Sequence, residues 1–125
     1  MTTVKLKGGF DELAFLELFC TEPRIAYPRE GYWCYEVTDE LGITLKFGLN
    51  RIQESVQIEL KSAESLIGIF SFELVESIEI YDYIDGKFSF YVAPENNDVQ
   101  TKVNVELRPS IKVDCATLSL CPAGV

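Results

Sequence analysis

Ile43-Thr44-Leu45-Lys46-Phe47-Gly48-Leu49 is the stretch that decides the fold. Ile43, Leu45, Phe47 and Leu49 occupy every second position, with Thr44, Lys46 and Gly48 between them. After a polar break from Asn50 to Ser55 the pattern resumes, with Val56, Ile58 and Leu60 set against Gln57, Glu59 and Lys61. Successive side chains of a strand point to opposite faces, so this alternation buries one face and wets the other. A helix would repeat its apolar positions every three to four residues instead.

The same period extends upstream. Trp33, Tyr35 and Val37 alternate with Cys34, Glu36 and Thr38, and Asp39-Glu40-Leu41-Gly42 carries turn residues. Downstream, Leu66 to Leu74 is apolar on both faces at first, which predicts a strand in the middle of a sheet. Ile78 to Ile84 and Lys87 to Val92 predict a hairpin joined by Asp85-Gly86. A two-residue type I′ turn there would set Tyr83 opposite Phe88, Tyr81 opposite Phe90 and Glu79 opposite Val92. Pro94 to Asp98 is a loop. Val103, Val105 and Leu107 form another alternating run, which Arg108-Pro109-Ser110 interrupts. Ile111, Val113 and Cys115 alternate in turn, then the phase slips to Ala116, Leu118 and Leu120, as a β-bulge would make it. The tail from Cys121 onward is expected to be loose.

The N-terminal part reads differently. Val4 and Leu6 alternate with Lys5 and Lys7 before Gly8-Gly9 ends the run. In Phe10 to Cys20 the alternation fails, while Leu13, Leu16 and Cys20 share one helical face and Phe15, Leu18 and Phe19 an adjoining one. Asp11 and Glu12 suit a helix start. Thr21 to Gly31, with Pro23 and Pro28, reads as a linker. The fold expected is mainly β (α+β with a minor α part). It has about eight antiparallel strands in a β-sandwich or strongly curved sheet, and one short N-terminal helix. The 125 residues suit a single globular domain over 1–125.

Composition narrows the chemistry. The chain has 20 Asp and Glu against 11 Lys and Arg, a net charge of −9. A field of that sign repels nucleic-acid phosphates and anionic headgroups and favours a basic protein partner. No nucleic acid and no membrane partner is therefore expected. No apolar run reads as a signal peptide or a membrane span, so a cytoplasmic location is expected. Histidine is absent, which removes Ser-His-Asp, Cys-His and every other histidine-based scheme. No phosphate-cradling glycine motif is present, no cofactor is expected, and no two of the acids are marked as a catalytic pair. Cys20, Cys34, Cys115 and Cys121 contain no Cys-x-x-Cys spacing, so no metal site is expected. Free, buried thiols fit best, with a Cys115–Cys121 bridge permitted by spacing.

Two features remain. From Ser62 to Gly86 there is no Lys or Arg, while Glu64, Glu73, Glu76, Glu79, Asp82 and Asp85 are all present. Tyr81 and Tyr83 lie among them, and Tyr32, Trp33 and Tyr35 form a second aromatic group. The leading expectation is a non-enzymatic protein-binding module. Its acidic, aromatic face would be Glu73, Glu76, Glu79, Tyr81, Asp82 and Tyr83, by analogy with small acidic immunity-type inhibitors of a basic toxin or nuclease. The alternatives are a carbohydrate or small-ligand site on Tyr32, Trp33 and Tyr35, and a self-associating structural protein forming a homo-oligomer.

Overall fold

The computed structural model describes residues 1–93 and 98–119. It contains ten strands: β1 (Thr2–Lys5), β2 (Ile25–Tyr27), β3 (Tyr32–Thr38), β4 (Ile43–Asn50), β5 (Ser55–Ser62), β6 (Ser65–Phe72), β7 (Ser77–Asp82), β8 (Lys87–Val92), β9 (Val99–Glu106) and β10 (Lys112–Ser119). One helix, α1 (Glu12–Phe19), and one 3₁₀ turn (Pro28–Glu30) complete it. The strands form two antiparallel sheets of five. Sheet I runs β1-β7-β8-β9-β10 and sheet II runs β2-β3-β4-β5-β6. The mainly β class with one short helix is as expected, and the strand count rises from about eight to ten.

The two sheets meet face to face, because the alternating residues put their apolar sets between them. Leu45, Phe47 and Leu49 of β4 and Val56 and Ile58 of β5 are buried against Ile78, Ile80, Phe88, Phe90, Val103 and Val105 of sheet I. Phe47 meets Phe88 and Phe90 edge-on across the layer, at 5.3 and 6.5 Å between ring centres. Each such side chain contributes about 2 kcal/mol by leaving water.

Asp11 caps α1, accepting a hydrogen bond from the Ala14 amide at 3.2 Å. The helix buries Ala14, Phe15, Leu18 and Phe19 and leaves Leu13 exposed. Phe19 stacks on Tyr35 at 4.7 Å, so the helix closes the aromatic core from one side.

Several expectations need correcting. The stretch read as a linker, Thr21 to Gly31, supplies β2 and the 3₁₀ turn, pairing Ile25–Tyr27 with Tyr32–Cys34. The apolar run Leu66 to Leu74 is not a central strand. It forms β6 at the free edge of sheet II, with Leu66, Ile67, Ile69, Phe70 and Leu74 all exposed. The hairpin is real, but its turn is not type I′. β7 ends at Asp82 and β8 begins at Lys87, pairing Asp82 with Lys87, Ile80 with Phe88 and Glu79 with Ser89, with a register shift between Ile80 and Asp82. The Asp82 carboxylate accepts from the amides of Ile84 and Asp85 at 2.8 and 3.3 Å, which starts the turn early. Gly86 then takes φ +65°, and a Cβ there would stand 2.8 Å from the Leu107 Cβ. Finally, β10 holds an unbroken register with β9 from Lys112 to Ser119, so there is no bulge at Cys115-Ala116. Residues 114–119 are exposed on both faces of this edge strand, so burial does not dictate an alternation there.

Cys20, Cys34 and Cys115 are free thiols, and of these Cys34 alone is buried. The bridge considered for Cys115–Cys121, and the tail itself, involve positions outside the described residues.

Candidate functional site

The outer face of sheet I collects the polar half of each strand's alternation. Glu79 and Tyr81 come from β7, Lys87, Ser89 and Tyr91 from β8, Lys102, Asn104 and Glu106 from β9, and Lys112 and Asp114 from β10. The cross-strand pairs Glu79–Ser89, Ser89–Asn104, Tyr91–Lys102 and Asn104–Asp114 fix this arrangement.

At its centre is a short relay. Ser89, fully buried, donates to the Tyr81 hydroxyl at 2.9 Å, and Tyr81 donates to Glu79 Oε2 at 2.9 Å. The Lys102 ammonium stands 5.8 Å from the Tyr81 ring centre and 5.4 Å from that of Tyr91. Partial burial works to lower the Lys102 pKa, but the two tyrosines outweigh it and raise it. Beside this, Asn104 donates to Asp114 at 2.9 Å, and Glu106 lies 3.6 Å from Lys87 and 3.4 Å from Lys112. A shallow depression of about 320 Å³ opens between Tyr81, Lys87, Asn104 and Asp114.

The residues singled out in the sequence are therefore divided. Glu79 and Tyr81 sit side by side on this face and bond each other. Asp82 spends its carboxylate on its own loop. Tyr83 packs toward the core, and its carbonyl accepts from Arg108 at 2.8 Å. Glu73 and Glu76 are exposed in the crossover before β7, about 17 Å of strand away from Asp82. The acid-only segment is thus not one acidic patch, because β8, β9 and β10 place lysines beside its β7 portion. Sequence reading missed Ser89, Tyr91, Lys102 and Asn104, which reach Tyr81 only through strand pairing.

The second aromatic group also separates. Trp33 and Tyr35 are buried to 2% and 1% exposure, inside the core. Burial, then Glu12 and Glu22, push the Tyr35 phenol up to about 12. Tyr32 alone turns to the outer face of sheet II, over Gly48, where a Cβ would lie 3.2 Å from its hydroxyl. Burial and then Cys34 raise its phenol to about 12. No sugar-stacking platform of three aromatics is formed.

A larger open groove, about 820 Å³, lies where α1 meets the β3–β4 turn and the β9–β10 connection. Three of its four carboxylates are engaged, the exposed Glu40 being the other. Glu36 pairs with Arg24 at 3.0 Å and Asp85 with Lys87 at 3.9 Å. Asp39 accepts from the amides of Leu41, Ile43 and Ile111 at 2.8–2.9 Å. Partial burial works to raise the Asp39 pKa, and these amides outweigh it and lower it. Arg108 also borders the groove, but its donors go to the carbonyls of Leu18, Tyr83 and Ile84. Asp39 and Arg108 thus serve to hold turns together. Among the described residues no Cys, Asp and Glu gather as a metal cluster, and no helix is long and apolar enough to cross a membrane.

No family model and no curated protein sequence matches the chain. Among solved structures, it superposes on a chain from a contact-dependent growth inhibition toxin–immunity protein complex of Klebsiella pneumoniae 342. The TM-score is 0.78 at 19% identity, covering 92% of this chain and 100% of the other. At that identity the likeness establishes a shared fold.

Proposed function

We infer that this chain is an immunity-type protein-binding module, which neutralises a toxin by binding it and performs no chemistry of its own. The observation that carries this reading is the end-to-end superposition on a chain of a toxin–immunity complex. Of the two roles that description names, the inhibitor's suits this composition better. A nuclease toxin needs a surface that tolerates phosphates, whereas this chain carries −9. It also has no histidine to serve as general acid or base. The same charge supports a basic partner, since opposite fields steer association and reject wrong partners. An inhibitor that guards against a toxin acting inside the cell belongs in the cytoplasm.

The test is protection. The product of the gene immediately upstream is expressed in a bacterial host with and without this chain, and survivors are counted. Protection by this chain, together with a stable complex of the two purified proteins, is the expected outcome. A host that dies equally in both cases, or an upstream product that is harmless, sinks the reading.

A further inference from the structure

Among the described residues the two sheets have four edge strands, and three are protected. β1 is four residues long and carries Lys5. β2 is three residues long and follows Arg24. β10 is eight residues long and bears Lys112 and Asp114. Short length and charge are the usual means of keeping an edge from recruiting another strand. β6 has neither. Its eight residues, Ser-Leu-Ile-Gly-Ile-Phe-Ser-Phe, include no charged side chain and no proline. Leu66, Ile67, Ile69 and Phe70 are 53%, 57%, 52% and 45% exposed. Ile67 bulges out of the pairing with β5, between Leu66 opposite Lys61 and Gly68 opposite Leu60. From Gly68 to Phe72 the free side of the backbone offers amides and carbonyls at alternate residues, spaced to accept one more strand.

We propose that β6 is the docking edge for an extended segment of the protein partner, added to sheet II as a sixth antiparallel strand. The segment has apolar residues at alternate positions and a Lys or Arg at each end. Charge decides the occupant. Glu64 and Glu73 bracket β6, both are exposed, and among the described residues neither is in an ion pair. Two copies of this chain paired antiparallel about the middle of β6 would bring Glu64, just before the strand, close to Glu73, just after it, of the second copy, twice over. That gathers like charges at both ends, which opposes pairing, in a dimer carrying double the net −9. A cationic segment converts both ends into attractions. The backbone bonds supply affinity and the apolar positions supply register. This proposal rests on the reading of the chain as a protein-binding inhibitor and names the surface that does the binding.

The direct test uses the full-length ¹⁵N-labelled chain and a ten-residue capped peptide in which four Val-Thr repeats lie between terminal lysines. Its twin carries terminal glutamates. The lysine peptide is expected to shift the amides of residues 64–73, and the glutamate twin to bind about tenfold more weakly, the worth of two exposed charge pairs reversed. Ile69→Lys, and independently Ile67→Lys, should each abolish the shifts while their circular dichroism and urea midpoints stay native. Shifts elsewhere, no shifts, or equal binding of both peptides overturns the proposal. So does a dimer in sedimentation that Ile69→Lys dissolves, which would assign the edge to a second copy. If the peptide binds β6 but this chain gives no protection, the inhibitor reading fails and the edge stands. If protection holds and survives both lysine substitutions, the edge fails and the inhibitor reading stands.

Discussion

On the outer face of sheet I, Ser89, Tyr81 and Glu79 hand hydrogen bonds to one another, and Lys102 lies over two aromatic rings. Along β6 in sheet II, Leu66, Ile67, Ile69 and Phe70 lie open to water. In sequence β6 and the β7 part of the first region, Glu79 and Tyr81, look alike, since both fall in the acid-only, apolar-rich segment from Ser62 to Gly86. They diverge because of neighbours. Among the described residues β7 has a strand on each side, whereas β6 has β5 alone. Charges one strand away decide whether a surface is closed on itself or left for something else. A patch in the sequence is therefore a patch in space only where the adjacent strands agree.

If that contrast is right, substitutions should cost stability in proportion to how fully a group is engaged. Arg108 is the most engaged, with three hydrogen bonds joining the end of α1 to the β7–β8 loop. Arg108→Met should lower the unfolding free energy by about 3 kcal/mol, read as a fall in urea midpoint. Tyr81→Phe leaves the buried Ser89 hydroxyl without its acceptor and should cost about 1–2 kcal/mol. Asp39→Asn keeps an acceptor but loses the charge that holds three amides, and should cost about 0.5–1 kcal/mol at neutral pH. Its pH dependence has a definite sign. The folded pKa of Asp39 is depressed, so its contribution is complete above the unfolded value of about 3.9 and is lost as pH falls through the folded one. The difference between wild type and Asp39→Asn should therefore shrink on acidification below about pH 4. Ile69→Lys, on the open edge, should change stability by less than about 0.5 kcal/mol. A cost as large as that of Tyr81→Phe would break the contrast and make β6 part of the structural framework.

Much of the fold was legible in the sequence. The alternation from Ile43 to Lys61 marks β4 and β5, because both strands bury one face and wet the other. Asp11 marks the start of α1 for the same kind of local reason, a side chain meeting a free amide. The misreadings came where local pattern and burial part company. Two-sided apolarity in β6 has the composition of an interior strand, and nothing local says that, among the described residues, it pairs with β5 alone. In β10 exposure on both faces leaves the alternation without meaning. At the hairpin, Asp82 and Arg108 override the preference of Asp85-Gly86, and Arg108 is distant in sequence. The candidate site was half visible. Glu79 and Tyr81 were named, but Ser89 and Lys102 join them only through a register that no single strand encodes.

The order of strands also sets a schedule. β2 to β6 follow one another in both sequence and space, so sheet II can form from consecutive hairpins as the chain emerges. β1 cannot join so early, because its partner is β7, with Lys5 paired to Ser77. At typical synthesis rates the separation corresponds to about 4–14 s of translation. During that interval β1 exists without its sheet, and Val4 and Leu6 wait for a core that their own neighbours cannot supply. Long closures of this kind slow folding more than they weaken the finished state. β1 is thus made before all of sheet II and placed only after it.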